Sequence, residues 1–222
     1  MKAIILAGGR GKRLKPITDY VPKPLIPIKN IPIIEWQIKY LKKFGIKEVI
    51  ICSGYRTDMI ENYLKMKDLG VKIKFSIEKS PLGTAGAIKK AGKLIDSKSF
   101  FVLNGDIITN IDLSKLLLQP NSIASIELRQ KFGIMVTSGN KITNFSEKKK
   151  ISDLWMNAGI YYLQKRILND LPAKGDIEKT LFPKFAKKGK LYTVKFRNSK
   201  WYSIDSFKDM EECALEIKNI IK

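Results

Sequence analysis

The segment that most constrains this chain is Leu6-Ala7-Gly8-Gly9-Arg10-Gly11-Lys12-Arg13-Leu14. It leaves the apolar stretch Lys2–Leu6 and is followed by Pro22-Lys23-Pro24-Leu25. Glycine admits φ > 0 and lets backbone N–H groups approach a ligand closely. Successive N–H groups in such a turn form a concave anion site. Arg13 and Lys23 add full positive charges, and arginine can grip phosphate oxygens bidentately. The turn is expected to hold a polyphosphate.

Two common glycine loops do not fit. A dinucleotide fold needs G-x-G-x-x-G opening a helix. Here Leu14 stands where the third glycine belongs, and Pro16 breaks the start of a helix. A P-loop needs Gly-Lys followed by Ser or Thr. Gly11-Lys12 is followed by Arg13, which offers no hydroxyl to a metal ion.

The first half alternates strand and helix. Lys2–Leu6, Glu48–Cys52, Lys72–Ile77 and Phe100–Leu103 read as strands. Ile33–Phe44 has helical spacing with Ile34, Ile38 and Leu41 on one face and Gly45 as its C-cap. Met59, Ile60, Tyr63 and Leu64 mark a second helix, and Ala85–Ile95 a third. Repeated β-α-β units imply a parallel, helix-covered sheet whose ligands sit beyond the carboxyl ends of the strands. The glycine loop, Asn104-Gly105-Asp106 and the loop after Ile77 all fall at such ends.

The second half is less regular. Ser122–Leu128, Ile134–Val136, Ile142–Glu147, Trp155–Leu163, Leu191–Phe196 and Trp201–Ile204 read as strands. Ile177–Lys187 and Phe207–Ile221 read as helices. No linker, repeat or low-complexity tract divides the 222 residues, so one domain is expected.

Lys+Arg 42 against Asp+Glu 21 leaves a net charge of +21, which raises nucleic acid as a partner. The lysines, however, are spread through nearly every segment, and no helix-turn-helix, zinc-finger or RNA-recognition pattern is present. A positive field also draws in anionic nucleotides and sugar phosphates. Histidine is absent, which removes His-based triads and most zinc sites. Cys52 and Cys213 lack metal-ligand spacing and suggest no disulfide framework, which suits a reducing cytoplasm. No stretch is long enough to span a membrane, and Ala3–Ala7 is too short for a signal-peptide core. A cytoplasmic chain with neither nucleic acid nor membrane as partner is expected.

The opening run, LAGGRGKRLKPIT and then PKPLIPI, resembles the N-terminal motif of the sugar-1-phosphate nucleotidylyltransferases. That family reads roughly L-A-G-G-x-G-T-R-L-x-P-L-T and P-K-P-L-x-P. Lys12 stands where the family usually has Thr or Ser. Glu78-Lys79-Ser80-Pro81-Leu82-Gly83-Thr84-Ala85-Gly86 resembles E/Q-x-x-P-L-G-T-A-G. Asn104-Gly105-Asp106 resembles N-G-D, and Phe145-Ser146-Glu147-Lys148 resembles F-x-E-K-P with Lys149 in place of the proline. Asn157-Ala158-Gly159-Ile160-Tyr161 matches N-A-G-I-Y. Asp176-Ile177-Glu178-Lys179 resembles a segment preceding a helix, but reads equally well as an acidic helix start favoured by the macrodipole.

The resemblance implies an α/β, Rossmann-like, mostly parallel sheet with helices on both faces, the nucleotide-diphospho-sugar transferase fold. It also implies a short form without the C-terminal β-helix of many relatives. About 1–120 of the chain would bind nucleotide and about 121–222 the sugar phosphate. Nucleotide contacts are expected from Leu6, Ala7, Gly8, Gly9, Gly11, Lys12, Arg13, Lys23, Glu78, Gly83 and Thr84, with Arg13 and Lys23 catalytic. Thr84 could also cap the helix that follows it. Glu147, Lys148, Asn157 and Gly159 would meet the sugar phosphate.

Mg²⁺ is the expected cofactor. A carboxylate at a strand end beside a phosphate loop suits it, because Mg²⁺ takes one or two carboxylates plus phosphate oxygens. Asp106 is the first expected ligand. Relatives with W-x-D-I-G-T would put the second at Ser203; those with I-D-T-x-x-D put it at Asp205. Asp205 is the better ligand chemically, although Asp205 or Ser206 could instead merely cap the last helix.

The implied reaction joins an NTP and a sugar 1-phosphate into an NDP-sugar and pyrophosphate. GTP with mannose 1-phosphate comes first, then UTP or dTTP with glucose 1-phosphate. A non-catalytic regulatory subunit of the same fold is the rival reading, and a homo-oligomer is left open.

Overall fold

The computed structural model describes the backbone of residues 1–129, 133–147 and 150–220. From the amino end come β1 (Lys2–Ala7), α1 (Ile17–Tyr20), β2 (Pro27–Ile28), β3 (Ile31–Pro32), α2 (Ile33–Lys43), β4 (Glu48–Ser53), α3 (Thr57–Lys65), β5 (Lys72–Ile77) and α4 (Gly83–Ala91). They are followed by β6 (Ser99–Asn104), β7 (Ile107–Thr109), β8 (Ser122–Arg129), β9 (Ile134–Ser138), β10 (Lys141–Ser146) and β11 (Lys150–Gln164). The described chain closes with α5 (Leu181–Lys187), β12 (Tyr192–Phe196), β13 (Trp201–Ser203) and α6 (Phe207–Ile220).

Among the described residues the main sheet runs in the order β12-β8-β11-β6-β1-β4-β5. All neighbours pair in parallel except β11, which is antiparallel to both β6 and β8. Alternation along the strands separates two cores. Ala3, Ile5, Val49, Ile51, Phe101 and Leu103 pack with Ile34, Ile38 and Leu41 of α2 and Ile60 and Leu64 of α3. Ile4, Ile50, Cys52, Phe100 and Val102 face the other way, onto Ile88 of α4 and Phe182 and Phe185 of α5. Helices therefore cover both faces, as a parallel sheet requires. Gly45 ends α2 as expected, with φ +73 and its N–H on Lys42 O at 2.9 Å.

Several elements differ from the sequence reading: α1, β2, β3 and β7 lie outside it, and β11 begins at Lys150 rather than Trp155. The helix expected from Ile177 begins at Leu181, because residues 177–180 form a turn that closes on Asp176 O and Ile177 O. The helix expected from Ala85 begins at Gly83 and carries no side-chain cap. No described helix is long and apolar enough to cross a membrane.

The order β5-β4-β1-β6 reverses direction at β1, since the chain moves out to β4 and β5 and then returns to the far side as β6. That switch point leaves a crevice outside the carboxyl ends of β1 and β6.

Candidate active site

Topology alone brings the first two motifs together. β1 and β6 pair in parallel with Leu6 opposite Asn104, so their end loops leave the sheet side by side. Gly105 donates its N–H to Leu6 O at 3.0 Å, and a Cβ there would lie 2.3 Å from that oxygen. Only glycine lets this turn press so closely under the end of β1.

Asp205 arrives by strand register. β13 pairs antiparallel with β7, Ser203 opposite Ile107, and Ile204 N continues the pairing to Asp106 O at 3.0 Å. The carboxylates of residues 106 and 205 then meet one cation. Lys23 Nζ lies 2.8 Å from Asp106 Oδ2 and 2.8 Å from Asp205 Oδ1. Arg13 Nη2 lies 2.9 Å from the same Asp205 oxygen. Ser203 Oγ donates to Asp205 Oδ2 at 3.2 Å. Ser206 accepts from Asp209 N and donates to Asp209 Oδ2, which also accepts from Asp205 N. Ser206 thus caps the start of α6, and the Asp205 side chain is left to face the cleft. Burial raises the Asp205 carboxyl pKa, but Lys23, Arg13 and Ser203 outweigh it, so the net shift is downward. Lys23 is 13% exposed and Arg13 76%, so Lys23 makes the stronger link and Arg13 is available to a ligand.

These groups border a cleft of about 480 Å³. Its walls include Leu6, Ala7, Gly8, Gly9, Gly11, Lys12, Arg13, Lys23, Glu78, Gly83, Thr84, Asp106 and Asp205, all singled out from the sequence. Pro81, Asn104, Gly105 and Asp176 join them; their only signal was membership of the motif segments. Glu78 accepts from Leu82 N at 3.0 Å through Oε2. Its Oε1 crowds Gly8, where a Cβ would come within 2.9 Å. Burial raises the pKa of the Glu78 carboxyl, against the lowering effects of Leu82 N–H and Lys90.

Thr84 does not cap its helix. Its hydroxyl donates to Glu178 Oε2 at 2.6 Å and accepts from Ile177 N at 2.9 Å. Ala85 N–H goes to Gly175 O at 2.9 Å, so protein takes up a donor at the start of α4. Gly83, at φ +72, leaves no room for a side chain, since a Cβ would stand 2.5 Å from Gly175 O. Glu178 is therefore no mere acidic helix start. It accepts from Thr84 on one oxygen and from the buried Tyr161 hydroxyl on the other at 3.0 Å.

The residues expected to meet the sugar phosphate are placed differently. Asn157 Oδ1 accepts from Gly159 N at 2.8 Å and its Nδ2 donates to Tyr161 at 3.0 Å. Gly159, at φ +69, backs directly onto Asn104, where a Cβ would meet Nδ2 at 2.7 Å. Neither Asn157 nor Gly159 is among the cleft-wall residues. Glu147 is exposed at the end of the β9–β10 ribbon, also outside those walls. Lys148 lies outside the described residues.

Two carboxylates already converging on one ammonium form a hard-oxygen donor pair suited to Mg²⁺. Among the described residues no group of three or more acidic, Cys or His side chains is assembled for a metal. An ion here would thus take its remaining ligands from water and phosphate, which is the usual habit of Mg²⁺.

The nucleotidyl transferase family model matches residues 2–219. A D-glycero-alpha-D-manno-heptose 1-phosphate guanylyltransferase of Campylobacter jejuni is 44% identical over 191 residues, 83% of this chain and 84% of that protein. Mannose-1-phosphate guanyltransferase beta-A of Xenopus laevis is 35% identical over 225 residues, and the match takes in 94% of this chain and 62% of that longer relative. The crystal structure of HddC from Yersinia pseudotuberculosis superposes with a TM-score of 0.78 at 29% identity, over 97% of this chain and 99% of the other. The same protein complexed with GMP-PN gives 0.76.

Proposed function

The chain belongs to the nucleotidyl transferase family, and on that premise we propose that it is a sugar-1-phosphate guanylyltransferase. It joins GTP and a manno-configured sugar 1-phosphate into a GDP-sugar and pyrophosphate. The observation that carries the reading is the Lys23 ammonium held between Asp106 and Asp205 at the mouth of the glycine loop. The cleft needs both signs of charge there, cations for phosphate oxygens and carboxylates for a metal ion.

The attacking atom is a phosphate oxygen of the sugar 1-phosphate. It bonds to the α-phosphorus of the triphosphate as the bond to the bridging oxygen of pyrophosphate breaks. A phosphate monoester has a second pKa of about 6, so its dianion is abundant at neutral pH and no histidine base is required. The protein's work is positioning and charge stabilisation. Arg13, Lys12 and the N–H groups of the glycine loop hold the triphosphate, and Arg13 and Lys23 stabilise the charge that gathers on leaving pyrophosphate. Asp106 and Asp205 would hold Mg²⁺. Bound there, the ion would offset the charge of the phosphate oxygens. Glu147 and Lys148 receive the acceptor by the motif they share with the family.

Glu78 favours guanine. The edge of guanine that pairs with cytosine offers two adjacent N–H donors, and an ionised carboxylate is an acceptor with room for both. The two relatives named above as guanylyltransferases point to the same base.

The test is a pyrophosphate-release screen that crosses GTP, UTP, dTTP, ATP and CTP with mannose, manno-heptose and glucose 1-phosphates. Release with GTP and a manno-configured acceptor is expected. No release from any pair overturns the reading.

A further inference from the structure

Beyond the carboxyl end of β4 the chain turns through Gly54-Tyr55-Arg56, a segment absent from the cleft walls and from every motif above. It backs onto the glycine loop from the far side. A Cβ on Gly54 would stand 3.3 Å from Gly8 O. The Tyr55 hydroxyl donates to Thr18 O at 3.0 Å, and the Thr18 hydroxyl donates to Gly11 O at 3.1 Å. Thr18 is 1% exposed. Its methyl fills the space a side chain on Gly11 would need, 3.0 Å away, with Lys23 Cβ close by at 3.1 Å.

Gly11, at φ +61, is the pivot from which the turn bearing Lys12 and Arg13 starts. Arg56 secures the other end. Its Nε donates to the Tyr55 hydroxyl at 3.0 Å and its Nη2 to Asp19 O at 2.5 Å. It stands just before α3 at φ +49, a conformation costly for a non-glycine residue unless its surroundings hold it. The guanidinium of Arg10, itself in the glycine loop, lies 5.7 Å from the centre of the Tyr55 ring, within cation–π range.

We propose that Tyr55 is a positioning residue for the phosphate-binding loop, acting through Thr18 on Gly11. This rests on the transferase reading, since it assigns that loop to a triphosphate. A glycine-rich turn has many conformations of similar energy. A site that stabilises a transferring phosphate gains most when its donors need not rearrange on binding. The hydrogen-bond chain from Tyr55 supplies that order without touching the ligand. Its loss should therefore fall on nucleotide binding rather than on the acceptor.

The experiment is titration of GTP and UTP into the wild type, Tyr55→Phe, Thr18→Val and Thr18→Ser, with KM for both substrates and thermal melting alongside. Tyr55→Phe keeps the ring for Arg10 and removes only the hydroxyl. It should weaken triphosphate binding by about tenfold, the scale of one to two hydrogen bonds. KM for the sugar 1-phosphate should stay within about twofold, since no contact to that substrate is removed. Thr18→Val should match it, Thr18→Ser should recover most of the loss, and the double variant Tyr55→Phe/Thr18→Val should be no worse than Thr18→Val alone. Unchanged triphosphate affinity in Tyr55→Phe overturns the inference, as does a loss shared equally by both substrates in step with a lower Tm. A wild type that binds neither triphosphate overturns the transferase reading and this inference with it.

Discussion

Two ion clusters of the same make-up sit at opposite ends of β1. At the amino end Lys2 meets Glu48 at 2.7 Å and Asp96 at 3.0 Å, and Lys74 meets Glu48 at 3.0 Å. At the carboxyl end Lys23 and Arg13 meet Asp106 and Asp205 at similar distances. Each has two cations and two carboxylates, yet they do different work. The amino-end cluster joins neighbours in the sheet, β1 to β4 and β4 to β5, where Lys2 pairs with Glu48 and Glu48 with Lys72 in register. The Lys2 ammonium also donates to Leu94 O at 3.1 Å, so its polar capacity is spent within the protein. The carboxyl-end cluster instead gathers loops from distant parts of the chain around an open cleft with exposed Arg13 on its rim. Charge composition therefore does not mark a site; the loops and the open space beside the charges do.

A matched pair of substitutions is the sharpest way to break this contrast. Lys23→Met should lower kcat/KM by about a thousandfold, since a preorganised charge on the transferring phosphate is worth several kcal/mol of barrier. Its Tm should fall by no more than a few degrees, as for Lys2→Met. A Lys23→Met enzyme with near-normal turnover would leave the two clusters equivalent. Within the carboxyl-end cluster, Asp205→Asn keeps size and loses charge. Steady-state assays at varied Mg²⁺ should show at least about a hundredfold loss for it, against roughly twofold for Ser203→Ala, because a hard cation prefers a charged oxygen. The reverse ranking would return the second ligand position to Ser203.

Lys2→Met is the counterpart of Lys23→Met. Denaturant unfolding should show a loss of about 1–2 kcal/mol, the scale of a charged hydrogen bond in a half-buried cluster. That corresponds to a fall in Tm of roughly 2–8 °C, with kcat/KM unchanged. A drop in activity without a drop in stability would place the amino-end cluster in the mechanism. The smallest effect lies in pH. Its hydrogen bond to Glu48 raises the Lys2 pKa against burial, and the bond to Lys2 lowers the Glu48 pKa. The Glu48 contribution is present above the ordinary carboxylate pKa and fades as pH falls through its lowered folded value. The Lys2 contribution is present below the ordinary lysine pKa and fades as pH rises through its raised folded value. The stability gap between wild type and Lys2→Met should therefore be flat from about pH 5 to 10 and close on the acid side below about pH 4. A gap that persists at low pH would assign the effect to packing.

Much of the first half was legible because its signals are local. Apolar runs mark β1, β4 and β6, and a parallel sheet aligns their carboxyl ends, so motifs at those ends become neighbours without further information. The second half resisted for the opposite reason. β11 departs from regular register between Lys150 and Trp155 and again between Asn157 and Tyr161, and no periodicity announces such breaks. Asn157 and Gly159 brace Asn104 and Tyr161, contacts that motif spacing does not show. Thr84 shows the same limit. A threonine at a helix start suggests a cap, but its hydroxyl has a carboxylate partner in Glu178, which pattern reading cannot supply.

By itself, the sequence determined the family's order of motifs, the alternation of strand and helix, and the placing of glycines and cations at the end of β1. These depend on backbone geometry within a few residues. Only the tertiary structure decided which side chains share a charge. Asp205 reaches Lys23 across 182 positions of chain. It does so because β13 pairs with β7 in one register and thereby continues to Asp106. A shift of one residue would turn each side chain of β13 to the other face. That register rests on contacts spread over the whole fold, among them Trp201 Nε1 on Ala158 O at 2.8 Å, and short-range pattern carries no record of them.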